Sequence, residues 1–306
     1  MRFARIGTVL LGLAITVGAA QAAPLPVQER APGVYVHQGS HRDFDDADYD
    51  GDIANIGFVV GEQAVAVIDT GGSYDIGLAL KQAVEKATSL PIRYVINTHV
   101  HPDHILGNAA FVGDGVRFVG HAQLAAALYE SQDTYLRDAP ARADGKKNTI
   151  VLPTIKVSGQ TTLDLGGRRL LLQSWPSAHT TTDLTVLDEQ TQTLWTGDLL
   201  FTERTPSVDG DVKGWLKAMD TLEHKKRVSH LIPGHGSSPQ DMAAAWGAQR
   251  HYLTALLTDI RKGIDAGQDM SEVMRHAAAH EKNKWQRFDV INPRNVNLLF
   301  PKMEWE

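Results

Sequence analysis

The sequence predicts an α+β fold in which two mainly antiparallel sheets pack face to face with helices on the outside, and three features predict it. Short strand-like runs bounded by Gly and Asp come in two sets, one before residue 100 and one after residue 160. Each set is followed by segments whose apolar residues recur at helical spacing. No Pro/Ser-rich linker, low-complexity tract or strong repeat divides the chain once its first two dozen residues are set aside, so one domain can use all of it. Of the 306 residues, 42% are hydrophobic and 22% charged, enough apolar material for a large core. Strands followed by helices, twice over, are compatible with this layered arrangement.

The chain begins with Arg2 and Arg5 ahead of an uncharged run from Ile6 to Ala20, and Ala20-Gln21-Ala22 then supplies the small-residue pattern of a signal peptidase site. Residues 1–22 are therefore expected to be a cleaved signal peptide, and residues 23–306 a single domain, periplasmic or secreted. The apolar run is shorter than the roughly 20 residues a spanning helix needs, so no membrane span is expected after cleavage. Loss of Arg2 and Arg5 makes a chain of formal net charge −6 more acidic. An acidic surface repels phosphate backbones, and the short basic run Lys225-Lys226-Arg227 reads as a solvated helix end, so no nucleic-acid partner is expected. There is no cysteine. Disulfides, thiolate metal sites and thiol nucleophiles are thereby excluded, and histidine and carboxylate must carry any metal.

In order along the chain, strands are predicted at Val34 to Gln38, Gly57 to Val60 and Ala64 to Asp69, the last two joined through Gly61, Glu62 and Gln63. Asp75 to Ala87 is a helix by spacing, with Ile76, Leu80, Ala83 and Val84 on one face, and Ile92 to Ile96 is short and apolar enough for a buried strand. A helix from Asp103 to Phe111 follows. The second set has strands at Thr161 to Leu165, Arg168 to Ser174, Leu184 to Leu187, Thr193 to Thr196 and Val228 to Ile232, and helices at Val212 to Leu222, Gln240 to Ile264 and Ser271 to His280.

The chemistry is concentrated in Thr98-His99-Val100-His101-Pro102-Asp103-His104, directly after a buried strand. In an extended segment His99 and His101 point the same way, and the turn at Pro102 redirects Asp103 and His104 toward a neighbouring point. That arrangement suits two adjacent metals, against the plain alternative of a polar loop rich in histidine. Three further residues stand at strand ends: His179 in Ser177-Ala178-His179-Thr180, Asp198 in Thr196-Gly197-Asp198, and His235 in Pro233-Gly234-His235-Gly236. Taken singly, each reads as an ordinary turn residue.

Together, the His-x-His-x-Asp-His element, the later His179, the Gly-Asp and the Pro-Gly-His-Gly resemble the metallo-β-lactamase superfamily in order and motif. The resemblance implies the metallo-β-lactamase fold, a four-layer αββα sandwich. It also implies two Zn²⁺, with iron possible for such ligands: His99, His101 and His179 on one ion, Asp103, His104 and His235 on the other, and Asp198 between them. Asp69 matches an aspartate that is structural in the family. Within the superfamily the chain looks most like the periplasmic zinc metallohydrolases of quinoprotein relay systems and their sulfur-oxidation-associated relatives. This finer likeness rests on residues 203–210, Gly214-Trp215-Leu216 and Arg294-Asn295-Val296-Asn297, with a departure at Asn292-Pro293.

The activity implied is a zinc-dependent hydrolase that uses a metal-activated hydroxide on a small-molecule ester, thioester, lactone or amide, β-lactams among them, with Asp103 orienting the nucleophile. Two alternatives stand beside it: a mononuclear-iron oxygenase of sulfur compounds on the same fold, and a non-catalytic metal-dependent partner of a periplasmic quinoprotein dehydrogenase. Among the remaining polar residues, His121 is expected to start a helix, and His37, His41, His224, His230, His251, His276 and His280 to be surface or packing residues. Glu203, Arg204, Asp209 and Trp215 could border the pocket, or Arg204 could stabilise its own loop. The acidic run Asp43, Asp45, Asp46, Asp48, Asp50 and Asp52 reads as a solvated loop, with a place over the pocket mouth as the alternative.

Overall fold

The computed structural model describes residues 23–225 and 227–306. The expected signal segment, residues 1–22, lies outside the described residues, as does Lys226. Seven strands form the first sheet in chain order: β1 (Gln28–Ala31), β2 (Val34–His37), β3 (Ile56–Val60), β4 (Val65–Ile68), β5 (Ile92–Ile96), β6 (Arg117–His121) and β7 (Ile155–Val157). The first four make an antiparallel meander, and β4 to β7 run parallel. Parallel neighbours need crossovers. These are α1 (Tyr74–Ala87), then α2 (Pro102–Ile105) with a 3₁₀ turn over Leu106–Phe111, then α3 (Leu124–Asp138).

The second sheet has the order β12-β11-β10-β9-β8, from β8 (Gln160–Asp164), β9 (Arg169–Ser174), β10 (Leu184–Asp188), β11 (Thr193–Phe201) and β12 (His230–His235). Its pairs are antiparallel except β11 with β12, which are joined across α4 (Val212–Glu223). The expectation of mainly antiparallel sheets thus holds for the second sheet, while the first divides evenly because helical crossovers feed its later strands. The chain then runs through α5 (Met242–Asp265), α6 (Met270–His276), a 3₁₀ turn over Ala279–Lys284 and α7 (Phe288–Glu304).

Four layers follow from which side chains each strand offers. Ala66, Ile68, Ile96 and Val119 of the first sheet pack against Leu172, Val186, Trp195 and Ile232 of the second, forming the central core. The alternate residues Val65, Val67 and Val95 face Leu80, Ala83 and Val84 of α1. On the far side, Leu194, Phe201 and Leu231 meet Trp215 and Met219 of α4, Tyr252 and Leu256 of α5, and Leu299 of α7. A strand covered on both faces reads as a continuous apolar run, which is why β4 and β11 are buried throughout.

Several elements differ from the sequence expectation. β1, β6, β7 and α7 were not predicted, and the helix expected to start at His121 begins instead at Leu124 as α3, His121 being the end of β6. β11 continues past Thr196 to Phe201 through a bulge at Gly197, whose φ is 51°, so Asp198 sits within a strand. His235 likewise ends β12 and is not in a loop. The predicted helix from Ser271 to His280 is split by Ala278 in the left-handed region. No helix among the described residues is long and apolar enough to cross a membrane.

Candidate metal centre

The centre forms where the ends of the two sheets meet. β5 delivers Thr98 to His101, and Pro102 at the first turn of α2 starts the short helix that turns Asp103 and His104 inward. From the second sheet come His179 on the β9–β10 loop, Asp198 in β11 and His235 at the end of β12. All seven residues predicted from sequence converge. Ligand atoms of His99, His101, His179 and Asp198 lie within 4.8 Å of one another, and so do those of Asp103, His104 and His235. Asp198 stands between the groups: Oδ2 is 3.6 Å from His99 Nε2, 3.2 Å from His179 Nε2 and 3.4 Å from His235 Nε2, while Oδ1 is 3.1 Å from His104 Nε2.

Each ring is held from behind. His104 Nδ1 bonds to Asp69 at 2.8 Å, His179 Nδ1 to the Ser207 carbonyl at 2.9 Å, His235 Nδ1 to the Ile53 carbonyl at 2.8 Å, and His99 Nδ1 contacts the Thr98 hydroxyl at 3.0 Å. These four therefore present Nε2 to the centre. His101 is reversed, with Nε2 bonded to Asp209 at 3.1 Å and Nδ1 inward, 3.0 Å from His179 Nε2. Outer hydrogen bonds of this kind fix the tautomer and aim of a ligating imidazole. Asp69 also accepts from the amide and hydroxyl of Thr98, which ties it to the start of the motif.

The electrostatics suit cations. Burial pushes the Asp198 carboxyl upward, but His235, His104, His99 and His179 more than offset this and hold it well below the usual carboxylate range. Burial likewise acts against ionisation of Asp103, and His104 and His235 bring it down to about 2. His99 is driven well below the ordinary imidazole value, first by burial and then by neighbouring rings. Three atoms facing the centre, His99 Nε2, His104 Nε2 and Asp198 Oδ1, are buried without a hydrogen-bond partner. Orphaned polar atoms at one buried point are costly unless something binds them. Five imidazoles and two carboxylates with no thiolate form a donor set that fits a pair of divalent cations.

A cavity of about 640 Å³ opens over Asp103, Asp198 and His235. Its walls come from residues 44–53, the end of α3, the loop after β11, and α7. The acidic run is thus at the pocket mouth and not a free loop: Asp43 pairs with Arg204 and Arg294, Asp45 with Arg294, and Asp46 with Arg287. Arg204 and Asp209 line the cavity, while Trp215 is buried against the His179 ring and Glu203 bonds to Ser237 and His41. Tyr135 also lines it, its hydroxyl pushed up by burial to about 12 and so kept protonated. Sequence reasoning missed the carbonyls of Ser207 and Ile53, which no residue type signals, and Asn55, whose amide donates to the Pro233 and Gly236 carbonyls and braces the turn around His235.

Of the remaining histidines, His37 is buried against Asp52 and the Pro26 carbonyl, a packing role. His251, His280 and Glu281 form a third group, in which Lys284 already neutralises Glu281 at 2.7 Å and both rings are exposed. It is an ion-pair cluster remote from the centre.

Residues 49–240, well over half of the chain, match the family model of the metallo-β-lactamase superfamily. No curated protein sequence matches. Among solved structures, a stereoselective inverting sec-alkylsulfatase from Pseudomonas sp. superposes with a TM-score of 0.70 at 18% identity, covering 92% of this chain and 50% of that one, so the chain spans half the length of that enzyme. A metallo-β-lactamase from Pontibacter korlensis superposes with a TM-score of 0.60 at 22% identity, covering 75% of this chain and 99% of that one. Fold and family model agree with the motif order: the chain belongs to the metallo-β-lactamase superfamily.

Proposed function

We propose that the chain is a two-zinc hydrolase of a small ester, thioester, lactone or amide. In this reading His99, His101 and His179 hold one ion, Asp103, His104 and His235 the other, and Asp198 is shared. The observation that carries it is the position of Asp198, whose two oxygens together reach histidines of both groups within 3.1 to 3.6 Å. A shared carboxylate is what a pair of cations needs and a mononuclear iron site does not. When bound, such a pair polarises a carbonyl and brings the pKa of a water toward about 7, making hydroxide available at neutral pH.

The protein's own groups do the rest. Asp69, Ser207, Ile53 and Asp209 fix the imidazoles so that little reorganisation is needed during the reaction. Asp103, ionised and beside the cavity, accepts a hydrogen bond from the attacking oxygen and aims it. Phe44, Leu106, Tyr135 and Leu298 keep water from the substrate's apolar part.

Metal analysis of the purified protein should find two zinc ions per chain, and chelation should abolish hydrolysis of a panel of aryl esters, thioesters and a chromogenic β-lactam. Asp103→Ala should lower kcat by at least about a hundredfold, the scale of misplacing a reacting group, since it removes a metal ligand and the group that aims the nucleophile. One iron per chain together with oxygen uptake would replace this reading with the oxygenase. Export is part of the proposal, supported by Arg2, Arg5 and the Ala20-Gln21-Ala22 pattern. A mature N-terminus at Ala23 in the periplasmic fraction tests it. A quinoprotein dehydrogenase as partner rests on the subfamily likeness and is tested by co-purification.

A further inference from the structure

The cavity wall carries more guanidinium than its buried carboxylate can neutralise. Asp43 is fully buried and receives the Phe44 amide at 2.8 Å, Arg204 Nη2 at 3.2 Å and Arg294 Nη1 at 2.9 Å. Arg204 is itself buried, its Nη1 spent on the Arg42 carbonyl. One carboxylate thus answers two arginines, and the second positive charge is met by Asp45, whose side chain is 81% exposed, paired to an Arg294 side chain that is 43% exposed. Asp45, Arg204 and Arg294 all line the cavity, among the apolar Phe44, Val208 and Leu298. An exposed pair contributes little, so an incoming anion can take Asp45's place at small cost, and a guanidinium offers a carboxylate paired, coplanar donors. Asp43, Asp45 and Arg294 lie outside residues 49–240, so this wall is added to the frame that the family model describes.

We propose that Arg294, backed by Arg204, binds a carboxylate of the substrate, and that Asp45 holds the place of that carboxylate when the pocket is empty. The inference rests on the hydrolase reading above and narrows it to apolar esters, thioesters or amides with a carboxylate at the end remote from the scissile carbonyl. Arg294 is then a specificity-determining residue.

The test uses the metal-loaded protein and two esters of matched shape, the mono-4-nitrophenyl ester of glutaric acid, which carries a free carboxylate, and 4-nitrophenyl pentanoate, which does not. The wild type should favour the anionic ester by at least about tenfold in kcat/KM, as expected for a site built around one polar group of its substrate. Arg294→Met should bring that ratio close to one, mainly through KM, and Arg294→Lys should keep part of it. Asp45→Asn, by removing the competing carboxylate, should raise the ratio about threefold, the scale of an exposed pair. A structural role alone would not produce these opposite signs. A wild-type ratio near one, a ratio unmoved in Arg294→Met, or a ratio lowered in Asp45→Asn overturns the proposal while leaving the hydrolase standing. If neither ester is cleaved, the hydrolase reading is judged by the wider panel above, and the subsite by calorimetric titration of monomethyl glutarate. Binding weakened tenfold in Arg294→Met then supports it, and binding that is absent or equal overturns it. Should Arg294→Met fail to fold, Arg294→Lys and Asp45→Asn decide alone.

Discussion

His101 turns its ring the opposite way from the other four, and Asp209 is the group that lets it. With Nδ1 directed inward, the outer Nε2–H needs an acceptor, and the Asp209 carboxylate supplies one at 3.1 Å. That hydrogen bond in turn holds the Asp209 carboxyl below its usual range, so it stays charged at neutral pH. Asp209→Ala should weaken metal at the His99, His101 and His179 group by about 10- to 100-fold, the usual cost of losing such an outer partner. Competition against a chromogenic chelator measures it, and an unchanged affinity would show that His101 needs no such partner. The ligands themselves were legible in sequence because four of them fall within six residues, Asp198 and His235 sit beside glycines, and His179 follows a strand in the order the family motif has. Asp209 was legible only as a residue near the pocket, since nothing in its own stretch says which histidine it meets. The Ser207 and Ile53 carbonyls were not legible at all, because any residue type offers the same backbone oxygen.

At the level of elements, the centre depends on how closely β12 lies against β11. Gly234 has room for no side chain: a Cβ there would fall 1.9 Å from Asp198 Oδ1 and 2.7 Å from the Gly197 carbonyl carbon. Because backbone stands behind the carboxylate, Gly234→Ala must displace Asp198 or part the two strands. The expected result is a loss of the shared ligand, with one metal or fewer per chain, and a destabilisation of about 1–3 kcal/mol, typical of overpacking. Retention of two metals with an unchanged melting temperature would contradict it. The same pair explains where sequence reading of elements succeeds and stops. Strands covered on both faces stand out as apolar runs, and β5 was located to the residue. β11 was cut short because Gly197-Asp198 has the composition of a turn, although a bulge carries the strand through it. α3 buries only Leu124 and Leu128, so its apolar periodicity is thin. α7 contains Pro293 and Pro301, and its buried Asn292 and Asn295 face Tyr252 instead of solvent, which hides a helix from any reading by polarity.

Across the whole molecule, the two sheets are joined by a buried charge as well as by the apolar core. Arg168, at the β8–β9 turn of the second sheet, binds Asp188 through two bonds of 2.9 and 2.6 Å and donates through Nη1 to the Val60 carbonyl of the first sheet at 2.9 Å. The sequence reading started a strand at Arg168 and ended another at Leu187, one residue short of Asp188, without pairing the two, since the partner lies 20 positions away and the carbonyl 108. Both side chains are nearly inaccessible, 4% and 0% exposed, so removing one strands the other in a medium that solvates it poorly. Asp188→Ala should therefore cost about 3–5 kcal/mol in urea unfolding at pH 7. Burial acts to raise the Asp188 carboxyl, but the bonds from Arg168 and Thr191 outweigh it and leave the folded value depressed. A depressed carboxylate contributes its stability above the unfolded value of about 3.9 and loses it as pH falls toward the folded one. The gap between wild type and Asp188→Ala should then be full at pH 7 and narrow below about pH 4 as the wild type takes up the proton. A gap under about 1 kcal/mol at pH 7, the scale of an exposed pair, or one that widens toward acid, would mean that this arginine does not clamp the sheets together.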